Sequence, residues 1–127
     1  MKITYEQLYR SFPVFKHLLD ENLPIRTTRK LQGFVESVNP HLQQIEATQS
    51  ELLEKYSHET DEGVFEIAPE NREKFLKELE KYLNYEITVS WIPIALDELG
   101  ESVNISIKGL KTISYLFKDY EDVAVIG

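Results

Sequence analysis

Apolar residues recur along this chain with two different periods, and the longest run lies between Leu23 and Tyr56. There Leu31, Val35, Val38, Leu42, Ile45, Gln49, Leu52 and Tyr56 follow one another at alternating steps of four and three. This is a heptad seam, which predicts one long helix presenting a narrow apolar stripe to another helix. Pro24 suits its first turn. Pro40 interrupts it, because Asn39-Pro40 also has the form of an N-cap followed by the first residue of a separate helix. The apolar register runs through the proline unchanged, which favours a single helix kinked near Glu36. Gln49 is the polar member of the seam, either fixing register or oligomeric state or marking a partly exposed edge.

The remaining elements are shorter. Thr4 is placed to cap a helix that carries Leu8, Phe12, Phe15, Leu18 and Leu19 at helical spacing. Pro13 allows this to be two short helices or one bent at Ser11. Asp20-Glu21-Asn22 has turn chemistry. After Tyr56 comes a polar connector from Ser57 to Gly63, then a short strand from Val64 to Ile67. A helix starts near Pro69, with Phe75, Leu76, Leu79, Tyr82 and Leu83 as its buried stripe and Glu70 and Glu73 at its positive end. Beyond Asn84 the period changes to two, with Tyr85, Ile87, Val89 and Trp91 alternating with polar residues, and Pro93 sits at the strand's end or a sheet edge. Ile94 to Gly100 fits either a continued strand or a short helical turn closed by glycine. Ser106 caps a last helix with Ile107, Leu110, Ile113, Leu116 and Phe117 on one side, ending near Asp119, and Val123 to Ile126 is an apolar tail that adds a strand or docks on the core.

These elements add up to an α+β, mainly helical domain over residues 1–127. It consists of a long helical hairpin, a small antiparallel sheet made by Val64–Ile67 and Tyr85–Ile92, and a closing C-terminal helix. The chain of 127 residues is the size for one hydrophobic core, and 42% hydrophobic with 28% charged residues is the balance of a folded globular protein. No apolar run reaches the roughly 20 residues a membrane helix needs, and the first residues lack the apolar centre of a signal peptide. With no cysteine, disulfide and thiolate chemistry are excluded, and a reducing compartment is expected. The expected location is therefore cytoplasmic, without membrane attachment.

Charge changes the picture further. The net charge is −8, and its excess falls in the second half: seven Lys and Arg against seven Asp and Glu up to Ser57, then seven against fifteen. A surface of that sign argues against binding to phosphate backbones, which needs clustered positive charge. It is compatible with mimicry of DNA or, more simply, with a solvated acidic surface.

Candidate chemistry is sparse. His17, His41 and His58 fall in separate segments, without a repeated spacing to a second histidine or a carboxylate that would build a metal site, so no metal or cofactor is expected. Glu70, Glu73, Glu78 and Glu80 interleave with Lys74, Lys77 and Lys81 as on a salt-bridged solvent face. No glycine-rich phosphate loop, serine elbow or zinc-protease motif occurs. The one basic cluster is Arg26-Thr27-Thr28-Arg29-Lys30 at the start of the long helix. Arg26, Arg29 and Lys30 are candidates to bind a phosphate, a nucleotide or an acidic partner; pairing with the acidic second half accounts for them equally. The thirteen Tyr and Phe residues fall mostly on the helical stripes, as core residues do.

The segments LPIRTTRKLQGFVESVNPHLQQIEATQSELLEKY, ENREKFLKELEKYLNYEITV and ISIKGLKTISYLF carry a resemblance. In this order they resemble a widespread class of small uncharacterised proteins of tailed phages and prophages. Those proteins have a long helix ending in Leu-x-x-Lys-Tyr, a loop containing glycine, a Phe-led helix followed by an extended Glu-x-x-Val segment, and a short last helix. The likeness spans Leu8 to Phe117, with Tyr56-Ser57 where the class has Tyr-Gly. It implies a viral setting in the host cytoplasm or the virion, and no chemistry. The expectation is a non-enzymatic protein that binds a protein partner, either a phage structural protein or a host defence protein. Leu31, Val35, Val38, Leu42, Ile45, Gln49, Leu52 and Tyr56 form the candidate interface through which it would self-associate as a virion assembly factor. An inhibitor of host defence, acting as an acidic mimic or by sequestering nucleotides through Arg26, Arg29 and Lys30, is the alternative.

Overall fold

In a computed structural model, which describes residues 1–120, the elements are β1 (Lys2–Thr4), α1 (Tyr5–Leu19), α2 (Ile25–Tyr56), β2 (Ser57–Glu59), β3 (Phe65–Ile67), α3 (Pro69–Leu83), β4 (Glu86–Thr88) and α4 (Ile107–Thr112). Two 3₁₀ turns, Leu96–Leu99 and Ser114–Leu116, complete them. The fold is α+β and mainly helical, as expected; the Val123–Ile126 tail lies outside the described residues. No described helix is long and apolar enough to cross a membrane.

Local chemistry explains where α1 and α2 begin and why both pass through a proline. Thr4 Oγ1 accepts the Gln7 backbone N–H at 3.1 Å, and Gln7 Oε1 accepts the Thr4 N–H at 2.9 Å, a capping box that satisfies two end donors. The alternative of two short helices at Pro13 is not adopted. α1 is one helix, and α2 likewise continues through Pro40. Both prolines lie on exposed positions, and the carbonyls they leave without a helical donor, four residues earlier, belong to the exposed Tyr9 and Glu36, on the solvent side of each helix. Pro24 is the cap of α2, its carbonyl accepting the Thr28 N–H at 3.0 Å.

The two helices are antiparallel. Tyr5 meets His41 while Phe15 meets Phe34 edge-on at 5.6 Å, so advancing along α1 means retreating along α2. The buried positions of α2 are Thr27, Leu31, Phe34, Val38, Leu42 and Ile45, facing Leu8, Phe15 and Leu18 in one core. The C-terminal segment closes this core through Ile94, Leu99, Ile113, Leu116 and Phe117. Its last part departs from expectation. α4 stops at Thr112 rather than near Asp119, and Ile107 points to solvent at 86% exposure. The tighter 3₁₀ turn takes over, with a three-residue repeat that brings Ile113 and Leu116 inward together. Ile94 to Gly100 resolves as a bridge of Ile94 to Phe117 followed by a helical turn closed by Gly100, whose φ of 82° suits glycine.

The expected single sheet is not formed. β4 pairs antiparallel with β1, Ile87 opposite Ile3, and β3 pairs antiparallel with β2, His58 opposite Glu66. The tract Ser57–Gly63, expected to be a connector, thus supplies a strand and a turn. Gly63 takes φ 79°, its N–H reaches the Thr60 carbonyl at 2.9 Å, and the Thr60 N–H reaches the Val64 carbonyl at 2.8 Å. Once β2 is next in line, the nearest partner for β3 is its own hairpin, and the strand after α3 returns to the N-terminus.

Burial divides the chain sharply. No residue from Glu46 to Glu86 is buried. The expected stripe of α3 is accordingly corrected: Phe75, Leu79, Tyr82 and Leu83 are half-buried and Leu76 is 55% exposed. α3 packs on the second half of α2 and touches α1 only near Tyr82, so a single neighbour covers one narrow side of it. We refer to residues 46–83 as the arm and to the rest as the base.

Leu42→Ala or Ile45→Ala should destabilise the protein by about 2–5 kcal/mol in urea unfolding, whereas Leu76→Ala should stay within about 0.5 kcal/mol. A second expectation concerns Tyr115, whose hydroxyl donates to Ser11 Oγ at 2.8 Å and ties the C-terminal segment to α1. Burial pushes its pKa up to about 12, against the hydrogen bond to Ser11. The fold therefore holds the neutral phenol, and the stability this contributes is intact below about pH 10 and falls as pH rises towards 12. Tyr115→Phe should lose less stability than the parent over that window, read by chemical unfolding at each pH.

Candidate functional site

The basic cluster at the start of α2 does not act as a unit. Thr27 is buried, and its hydroxyl donates to the Glu98 carbonyl. Lys30 Nζ lies 3.1 Å from Glu98 Oε1. The Glu98 carboxylate also accepts the Ala95 N–H at 2.9 Å, and that hydrogen bond, with Lys30 second, holds its pKa below the usual carboxylate range. Thr27 and Lys30 thus dock the 3₁₀ turn onto α2, the pairing with the acidic second half that the sequence allowed. Arg26 and Arg29 are exposed and make no ion pair among the described residues.

The histidines are equally dispersed. His17 Nε2 hydrogen-bonds the Asn104 carbonyl and lies 3.2 Å from Glu21 Oε1, joining the end of α1 to the segment before α4. His41 Nδ1 lies 3.3 Å from the Tyr5 hydroxyl, and His58 is exposed on β2. Among the described residues, no three His, Asp or Glu are grouped to hold a metal ion.

The seam is divided between base and arm. Leu31, Val38, Leu42 and Ile45 are buried within the chain, while Val35, Gln49, Leu52 and Tyr56 are half-buried. Phe34, which the heptad register does not include, is buried where Val35 was expected. A partner approaching α2 therefore meets the seam only towards its C-terminal end.

Two concavities carry groups that could meet a ligand. The first, a cleft of about 540 Å³, lies where base and arm join, between Tyr5, His41, Gln44, Tyr82, Tyr85 and Glu86. Tyr5 stacks obliquely on Tyr82 and Tyr85 at centroid distances of 5.2 and 5.3 Å. Burial first, and then the two neighbouring phenols, raise the Tyr5 pKa above its ordinary value. The rings pack obliquely on one another and form one wall of the cleft. The Tyr82 hydroxyl is buried without a hydrogen-bond partner among the described residues.

The second is larger, a groove of about 810 Å³ at the tip of the arm, between the end of α2, the β2–β3 hairpin and the start of α3. Leu53, Phe65 and Ile67 give it an apolar lining, with Glu54, Glu59 and Arg72 around them. Leu53 is 45% exposed, Phe65 70%, and the adjoining Val64 53%. The arm behind it is stiffened by Lys55, whose ammonium sits 3.0 Å from Glu78 Oε1 and 5.1 Å from the centre of the Tyr56 ring. Hydrogen bonding to Glu78, and then Tyr56, raises the Lys55 pKa; hydrogen bonding from Tyr56, and then Lys55, lowers that of Glu78. This groove was not read from the sequence. Its signals were Leu53 beside the seam residue Leu52, out of phase with the stripe, and Val64-Phe65 next to a turn.

Thr27→Val should cost about 1–3 kcal/mol in urea unfolding, since it leaves the Glu98 carbonyl without its donor, and Lys30→Ala should cost much less because that pair is solvated. Equal losses from both would mean that the ion pair contributes as much to docking the turn as the threonine does. No protein-family model, curated protein or solved structure matches the chain.

Proposed function

We propose that the chain is a non-enzymatic interaction protein, encoded by a phage, that binds its partner through the tip of the arm and serves as a virion assembly or accessory factor. One observation carries this reading. The arm buries none of its residues, yet it exposes Leu53, Val64 and Phe65 at its tip and Leu76 on α3, apolar surface that an isolated chain gains by covering. The resemblance to small phage proteins supports the setting, whether host cytoplasm or virion.

Self-association along the whole seam would compete with α1 for Leu31, Val38, Leu42 and Ile45, so a second copy would join at the arm instead. The acidity of the arm favours a second reading, an inhibitor of a host defence protein that acts as an acidic mimic. The nucleotide-sequestering form of that reading has less support, because Lys30 is engaged by Glu98.

The test is recovery of partners from phage-infected cells by the tagged chain and by its Leu53→Ser/Phe65→Ser variant, with folding checked by circular dichroism. A virion protein recovered by the parent and lost by the variant is the expected outcome; a host protein showing the same dependence would reverse the two readings. A partner retained by the variant would place the interface away from the tip. Light scattering at rising concentration distinguishes a second copy, which raises the mass above 14.9 kDa.

A further inference from the structure

We infer that the partner of the arm tip is a cationic amphipathic polypeptide segment, which seats an apolar anchor between Leu53, Phe65 and Ile67 while its lysines and arginines meet the surrounding carboxylates. The inference rests on the tip being the binding surface and adds the chemistry of what it binds.

Charge is the first ground. Residues 46–73 hold nine carboxylates against two cations, a net of −7 in a chain whose total is −8. Of those cations, Lys55 is taken by Glu78. Of the carboxylates, only Glu73 has an ion pair among the described residues, with the exposed Lys77 at 3.2 Å. The others, including Glu51, Glu54, Glu59, Glu62 and Glu66, are exposed. They lie on the last turns of α2, the hairpin and the first turn of α3, and Glu54 and Glu59 line the groove itself, so a cation seated there meets carboxylates from two elements.

Shape is the second ground. The groove of about 810 Å³ has the size for two or three side chains of an inserted helix, and its lining combines Leu53, Phe65 and Ile67 with the charged Glu54, Glu59 and Arg72. Lysine and arginine suit that cross-section, because their methylene stems lie along apolar surface while the charged heads reach outward. Arg72 stands on the α3 wall, so the cations of the partner are directed to the α2 and hairpin sides, where Glu54 and Glu59 lie. A second copy of the chain would bring another acidic tip against the first, and a nucleic acid would bring phosphates. Both are repelled, and a cationic polypeptide is the occupant that neutralises the field while covering Leu53 and Phe65.

The experiment uses the full chain and three synthetic amphipathic helices with identical leucine positions and net charges of about +6, 0 and −6. Binding is followed by fluorescence anisotropy and by amide shifts in nitrogen-15 spectra. The +6 helix should bind at least about tenfold more tightly than the neutral one, shift the amides of residues 50–72, and weaken about tenfold or more between about 50 and 500 mM salt. Leu53→Ser/Phe65→Ser and Glu54→Lys/Glu59→Lys should each weaken it by about tenfold or more.

Equal binding of the +6 and neutral helices at the tip would overturn the charge assignment and leave the tip as the binding surface. Cationic binding that spreads over the base, or that ignores Leu53→Ser/Phe65→Ser, would show attraction without a site and overturn the inference. If no helix shifts the tip but the chain self-associates and Leu53→Ser/Phe65→Ser makes it monomeric, the occupant is a second copy. Neither helix binding nor self-association at the tip would overturn both this inference and the reading it rests on.

Discussion

The contact between α1 and α2 is the constraint from which the rest of the molecule follows. Leu31, Phe34, Val38, Leu42 and Ile45 face Leu8, Phe15 and Leu18 in the core, and each aliphatic side chain so buried is worth about 1.5–3 kcal/mol in water removed. That face fixes the antiparallel register and therefore the lengths that remain. α1 has 15 residues and α2 has 32, and with Tyr5 at the start of α1 set against His41, the last turns of α2 from Glu46 to Tyr56 run on past α1 for about 16 Å at a 1.5 Å rise. The overhang has no α1 to lie on.

Everything in the arm is a response to that overhang. α3 covers one side of it, held by Lys55 to Glu78 and by Tyr56 against Phe75. A single covering helix cannot bury an apolar stripe from all directions, which is why no residue of the arm is buried. The hairpin at the end is two strands only, marginal by itself and braced by the helix ends on either side. The base, in contrast, is closed on a third side by the C-terminal segment, fastened by Thr27 to Glu98, Tyr115 to Ser11 and Trp91 Nε1 to the Leu116 carbonyl at 3.0 Å. The molecule thus separates a part that is stable through burial from a part that buries none of its residues and carries most of the acidic excess. The exposed groups of the arm can therefore change their surroundings without disturbing the core.

Much of this was legible from local patterns. The heptad run located α2, since a repeat sustained over so many turns leaves little choice of structure, and register carried correctly through Pro40. Caps were readable where a side chain does the capping, at Thr4 and Ser106, because the geometry involves only three residues in sequence. Gly100 closed its turn for the same local reason. The acidic excess was also visible, although its concentration around the groove was not, because that depends on a hairpin folding back on the end of α2.

What the sequence determined by itself is which face of each helix is apolar and where each helix starts, because periodicity and capping act over one or two turns; the strands Lys2–Thr4 and Ser57–Glu59 were not among its expectations. Which neighbour covers that face was decided only by the tertiary structure. Strands of three residues are too short to show a period, so the pairing of Ile3 with Ile87 and of His58 with Glu66 rests on chain ends brought together by the helices. The same reason explains Leu76 and Ile107, which belong to apolar stripes and yet face water. An apolar stripe states a demand for burial, and the supply depends on how many elements pack there; at the arm of this protein the supply within one chain stops short.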